Sequence, residues 1–221
     1  MKYFFFILIF IIFGNLLVSA QESEKEKKIF PINEFTLSLN RTTVADNNTQ
    51  DRFGFGIGLY YAFFNQKRCN LITGFEYNRN AQFKKHINEG YFSNKYNVTY
   101  TINNVGIPLY FRVNMGQKVI FFIETGVFFD FFNIGREKGY YKTVIPNPMD
   151  STIRSDSGQF NSKMCYKTNF GISGGIGLRI PIKEYEILIK SDYKWGMRNI
   201  GGGYEGIHNR YWRITIGFKL N

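Results

Sequence analysis

Nine charged residues sit where a water-soluble strand would not put them. Glu76, Arg112, Glu124, Asp130, Arg179, Lys190, Asp192, Lys194 and Arg213 fall in the register of small and polar residues, inside segments whose alternate positions are large and apolar. Carboxylates interleaved with ammonium and guanidinium groups could relay protons or ions along a gated pore. They could equally pair into a network that plugs and rigidifies a narrow space. Charges removed from water must pair or stay hydrated. In a lumen only wide enough for side chains, pairing is the expected outcome.

Other reactive types are sparse. The two histidines, His86 and His208, read as residues of outer loops. A loop histidine could serve a lipid-modifying enzyme, but no G-x-S-x-G or H-E-x-x-H pattern accompanies either one. Gly201-Gly202-Gly203 follows a strand without opening a helix, so it reads as a flexible loop, not a phosphate loop. Cys, His and acidic residues show no metal-ligand spacing. The expectation is therefore no catalytic residue, no metal and no cofactor.

The elements that must hold the nine charges are strands. Tyr211 to Leu220 is the clearest, with Trp212, Ile214, Ile216, Phe218 and Leu220 on one face and Tyr211, Arg213, Thr215, Gly217 and Lys219 on the other. Strand side chains alternate between faces, so this pattern has one apolar side and one small or charged side. Seven earlier segments repeat it, beginning near Phe35, Phe53, Asn70, Asn104, Val119, Asn169 and Ile187. Pro108 removes a backbone donor and predicts a local ladder defect. Tight turns are expected at 65–68, 114–117 and 181–184, and longer polar loops at 43–52, 84–96, 135–165 and 201 onward. Such alternation of short and long connections marks an up-and-down barrel with short periplasmic turns and long outer loops. The predicted fold is all-β: an eight-stranded antiparallel up-and-down transmembrane β-barrel with its lumen filled. Cys69 and Cys165 then fall at opposite ends of the barrel, too far apart to bridge.

The ends and the composition agree with export. Met1-Lys2, the apolar run Tyr3–Phe13 and the small residues Val18-Ser19-Ala20 form a signal-peptide pattern. The expected organisation is a signal peptide at 1–20, a periplasmic linker at 21–30 and an outer-membrane barrel at 31–221. Aromatic residues make up 19% of the chain, enough for interfacial girdles. The pairs Tyr110–Phe111 and Tyr211–Trp212 are among those expected there. The formal net charge is +11, but the basic residues are scattered with no basic helix to present them, so nucleic acid is not an expected partner. Outer-membrane lipid and surface polysaccharide are the better counter-charges. A monomer is expected.

A soluble barrel of the lipocalin kind would reverse the faces, with apolar groups inside and charges outside. The charged register here also carries most of the glycine, as a crowded interior requires. Within the second half, Asn104-Val-Gly-Ile-Pro-Leu-Tyr-Phe-Arg112, Phe122-Ile-Glu-Thr-Gly126, Phe170-Gly-Ile-Ser-Gly-Gly-Ile-Gly-Leu178 and Asp192-Tyr-Lys-Trp-Gly196 resemble the PorT-like outer-membrane β-barrel proteins of Bacteroidetes. The resemblance implies an outer-membrane address and no shared catalytic motif. It also implies that secretion-machinery proteins of the type IX system are candidate partners. A structural or adhesive role through the outer loops is the leading functional expectation, because loops on a rigid scaffold are where binding resides.

Overall fold

The computed structural model describes residues 32–42, 49–62, 68–88, 93–146, 153–165, 167–182, 184–199 and 208–220. The signal-peptide and linker segments, the 65–67 turn and the 201–203 glycines lie outside the described residues. The strands are β1 (Glu34–Thr42), β2 (Thr49–Asp51), β3 (Phe53–Ala62), β4 (Cys69–Asn88), β5 (Ser93–Met115), β6 (Ile120–Pro146), β7 (Ile153–Cys165), β8 (Asn169–Ile182), β9 (Tyr185–Asn199) and β10 (His208–Leu220).

Eight of these close a ring. Going round, β1, β3, β4, β5, β6, β8, β9 and β10 pair in antiparallel sequence, and β10 returns to β1. Closure removes the unpaired backbone edge that hydrocarbon cannot satisfy. The stagger follows from the register. Starting at Ile123, the partners run through Ile176, Ser191, Ile214, Leu39, Phe55, Arg79 and Asn103. The circuit re-enters β6 at Ile134, eleven residues beyond its start, one of them the residue bulged out where the register shifts beside Val105 and Gly106. A stagger this large tilts the strands by roughly 40° and leaves an interior that side chains can fill.

Alternation sets the two faces. Leu37, Ile176 and Ile216 are 54%, 65% and 60% exposed on the outer wall, whereas the intervening register is buried. Glycine lets the inner wall close up: a Cβ on Gly175 would stand 2.5 Å from that of Asp192. The ladder is also interrupted at Pro108. Pairing of β4 with β5 skips Gly74 and Phe75, and the Thr73 hydroxyl donates to the Pro108 carbonyl at 2.7 Å.

Beyond the ring the strands continue, which corrects three expected loops. The 84–96 segment is largely the end of β4 and the start of β5, 135–165 is largely the end of β6 plus β7, and 43–52 contains β2. β2 pairs with β4 and β7 pairs with β6, so a five-stranded sheet in the order β2-β4-β5-β6-β7 extends past the ring. Once strands leave the membrane neither face is obliged to be apolar, so polar sequence there does not mean loop. This extension has its own small core of Ile87, Val98, Tyr100 and Ile102, with Phe160 and Met164 packed against it. The ends are reassigned accordingly. His86 belongs to β4, where its ring meets Tyr96 at 5.0 Å and Nε2 lies 3.1 Å from the Asn94 amide oxygen; His208 opens β10.

Candidate functional site: an ionic lumen beneath a cationic sheet

The interior begins, at the short-turn end, with Arg112. β5 directs it inward opposite Glu124 of β6, its cross-strand partner. Its Nε donates to Glu124 Oε2 at 2.8 Å, and its two terminal nitrogens donate to the carboxylate of Glu34 on β1 at 2.8 and 3.1 Å. The Glu124 Oε1 atom accepts from Lys190 of β9 at 2.7 Å. The Phe122 ring supports the guanidinium face at 4.5 Å. Nearby, Arg179 on β8 donates to Glu186 on β9 at 2.8 Å.

A second cluster centres on Glu76 of β4. Oε1 accepts from the phenols of Tyr60 at 2.7 Å and Tyr110 at 3.0 Å. Oε2 takes Lys194 of β9 and, at 3.1 Å, Arg213 of β10. Arg213 in turn grips Asp192 through Nε at 3.1 and 3.0 Å. Lys190, 5.1 Å from the Tyr110 ring centre, joins the two clusters, and Lys194 lies over Phe128 at 4.7 Å.

The outer tier replaces ion pairs with amides. Asp130 accepts from Asn169 at 3.1 Å and Asn209 at 3.3 Å, while Asn209 accepts from Asn80 at 2.8 Å and Asn80 from Asn40 at 3.1 Å. This chain of amides crosses the barrel from β6 to β1.

All nine charges singled out in the sequence are buried here, each 4% exposed or less. Sequence reasoning missed Glu34 and Glu186, which sit at the starts of their strands, one residue ahead of Phe35 and Ile187 where the expected alternation begins. It also placed Tyr110 and Tyr211 in the aromatic girdles. Both are buried, at 1% and 0%, because their register is the inner one; Trp212 remains outside. A phenol suits a crowded ionic lumen as well as it suits an interface, since it offers an apolar body and one hydrogen-bonding tip.

Charge is divided sharply between inside and outside. Among the described residues, seven acids and seven bases are buried, from Glu34 to Lys219, so the buried charge balances. The chain's surplus of positive charge therefore sits elsewhere. The only exposed acids among the described residues are Asp51, Asp156 and Glu184. Two are already engaged: Asp51 with Arg41 at 3.0 Å and Asp156 with Tyr141 at 3.2 Å, whose phenol its carboxylate pushes up in pKa. The outer face of the extension carries Arg136, Lys138, Lys142 and Lys163, all exposed.

A closed eight-stranded ring with a lipid-compatible exterior and a salt-bridged interior defines a small integral outer-membrane β-barrel. The chain belongs to the outer membrane protein beta-barrel domain family, whose model matches residues 14–202. No curated protein matches it. Among solved structures it is similar to Neisserial surface protein A, with 9% identity, a TM-score of 0.46 and coverage of 86% of this chain and 95% of that one. It is also similar to Ail, the attachment invasion locus protein of Yersinia pestis, at 14% identity, TM-score 0.36 and coverage of 85% and 97%. The N-terminal barrel domain of Pseudomonas aeruginosa OprF gives 11% identity, TM-score 0.33 and coverage of 85% and 96%.

Proposed function

We propose that this protein is a structural and adhesive component of the outer membrane, with a plugged lumen, that binds anionic surface material through its outer strands. The observation that carries this reading is the partition of charge. The buried charges balance, while the exposed charged side chains described in the extension are cationic except for Asp51 and Asp156. Short turns face the periplasm in barrels of this kind, which directs the extension outward. Phosphorylated or acidic glycans, on lipid or free, match its sign.

The ionic lumen serves the scaffold. It fixes the ring from which the outer sheet projects, and no catalytic step is assigned to it. The PorT-like subfamily and a place in a type IX secretion machine rest on the resemblance alone.

The test is binding of the full-length protein, in phospholipid nanodiscs, to an immobilised acidic polysaccharide and to a neutral one. Selective retention on the acidic surface that falls as salt rises is the expected result. Equal retention on both, or none on either, would refute the reading.

A further inference from the structure

We infer that a cavity on the outer face of the extension, at a bulge in β5, is a binding site for an acidic sugar. The inference deepens the surface-binding reading above and rests on it.

The cavity holds about 400 Å³ and is walled by Asn97, Thr99, Lys138, Tyr140, Gln159 and Asn161, with Gly139 and Phe160 as its floor. Its walls share one face by register. Thr99, Lys138 and Asn161 form a single row across β5, β6 and β7, and Tyr140 pairs with Gln159 in the next row. The hollow exists because β5 departs from the ladder there. Pairing with β6 shifts register between Tyr96 and Thr99, and Asn97 turns through a left-handed φ of 52°. Asparagine is one of the few residues with a side chain that adopts this backbone readily, which suits it to the bulge. Gly139 lies opposite the bulge. A Cβ there would press on the Tyr96 carbonyl at 3.0 Å and on Phe160 and Val98 at 3.1 Å, on the face turned to the extension's core, so glycine lets the strand lie close against that core.

The lining suits a charged pyranose better than the alternatives. Tyr140 is 48% exposed, and Gln159 Nε2 donates to its hydroxyl at 3.3 Å, which holds the ring in place as a platform. An aromatic face accepts the apolar C–H side of a sugar. The amides of Asn97, Gln159 and Asn161 can each donate and accept, as neighbouring hydroxyls require. Lys138 supplies a point charge for a carboxylate, sulfate or phosphate, and none of the described acids pairs with it. A neutral sugar would leave that charge unmatched, and a bare anion would not use the ring or the amides. Arg136 and Lys142 flank Lys138 and Tyr140 in the same register of β6, spaced for further acidic groups along an oligomer.

The acidic sugar could belong to the cell's own lipopolysaccharide or to a foreign polysaccharide, and the experiment separates the two. Full-length protein in nanodiscs free of lipopolysaccharide is titrated with a chondroitin sulfate tetrasaccharide, with maltotetraose and with inorganic sulfate. The charged tetrasaccharide should bind at least about tenfold more tightly than either control, and Tyr140→Ala and Lys138→Gln should each weaken it by about tenfold. Lys85→Gln removes a cation of the extension outside the cavity and should change affinity less than about twofold, within the range of a peripheral charge. Heat-dependent gel mobility verifies that each variant is folded. If Tyr140→Ala binds like wild type, or Lys85→Gln costs as much as Lys138→Gln, the cavity assignment is wrong while the cationic-surface reading stands. If the wild type does not bind the charged tetrasaccharide, both fall. Repeating the titration in discs containing the cell's lipopolysaccharide assigns the source: lost affinity marks the glycolipid as occupant, and unchanged affinity marks a foreign glycan.

Discussion

Arg112 and Glu124 are cross-strand neighbours whose side chains meet at 2.8 Å inside the barrel, and each also holds a third strand. Arg112 reaches Glu34 on β1, and Glu124 reaches Lys190 on β9. Four strands are thus tied by one pair. Replacing Glu124 with Ala leaves Arg112 with only one carboxylate and Lys190 without its acceptor. Loss of one partner from a buried pair costs about 3–5 kcal/mol. The unfolding midpoint in urea, measured in lipid bilayers, should drop accordingly. An unchanged midpoint would show that the network does not stabilise the ring.

The outer wall gives a contrasting expectation. Ile216 is 60% exposed and Ile176 65%, both near the middle of their strands. Arg in place of either should cost about 2–4 kcal/mol at the bilayer midplane. One residue away, Thr215 is fully buried and its hydroxyl lacks a hydrogen-bond partner. Thr215→Val removes an unsatisfied polar atom, so its effect should stay within about 1 kcal/mol of wild type. Bilayer unfolding of the three variants tests the face assignment, and an Ile216→Arg protein as stable as wild type would contradict it.

The same interior decides conductance. Arg112, Glu124, Lys190, Glu76 and Arg213 cross the space that a pore would need, and they are held by partners on other strands. Ions would have to displace these pairs in order to pass. Purified protein in planar bilayers should therefore show little current at moderate voltage. Large, stable steps would mean that the lumen opens.

How much of this was legible in the sequence depends on where lipid imposes a rule. Between Phe53 and Tyr61, or Trp212 and Leu220, hydrocarbon demands an apolar outer face, so alternation shows the strand, its orientation and its inward charges. The same rule fails inside. Phe122 and Phe128 are large apolar residues in the inward register of β6, where they lie beneath Arg112 and Lys194 as ring supports. It also fails above the membrane. Lys138, Tyr140 and Lys142 alternate with Glu137, Gly139 and Tyr141, a pattern with no apolar side, and only hydrogen-bonded pairing reveals the strand. The candidate sugar site lies in that segment, so no motif announced it.

The cysteines test topology as a whole. Cys69 opens β4 opposite Val113, two residues before the end of β5, beside the short turn that carries Gly116. Cys165 ends β7 opposite Ile134, where β6 leaves the ring. Both are free thiols, Cys165 exposed and Cys69 half-buried. A hydrocarbon layer roughly 30 Å thick separates the two ends of such a barrel, far beyond the reach of about 7 Å that a disulfide allows. A membrane-impermeant maleimide added to intact cells should label Cys165 and spare Cys69. Permeabilising the outer membrane should add access to the periplasmic rim, where Cys69 reacts more slowly because it is partly covered. Labelling of Cys69 alone in intact cells would invert the orientation. Recovery of a Cys69–Cys165 peptide under non-reducing conditions would break the strand order itself, since no register of this ring brings the two residues together.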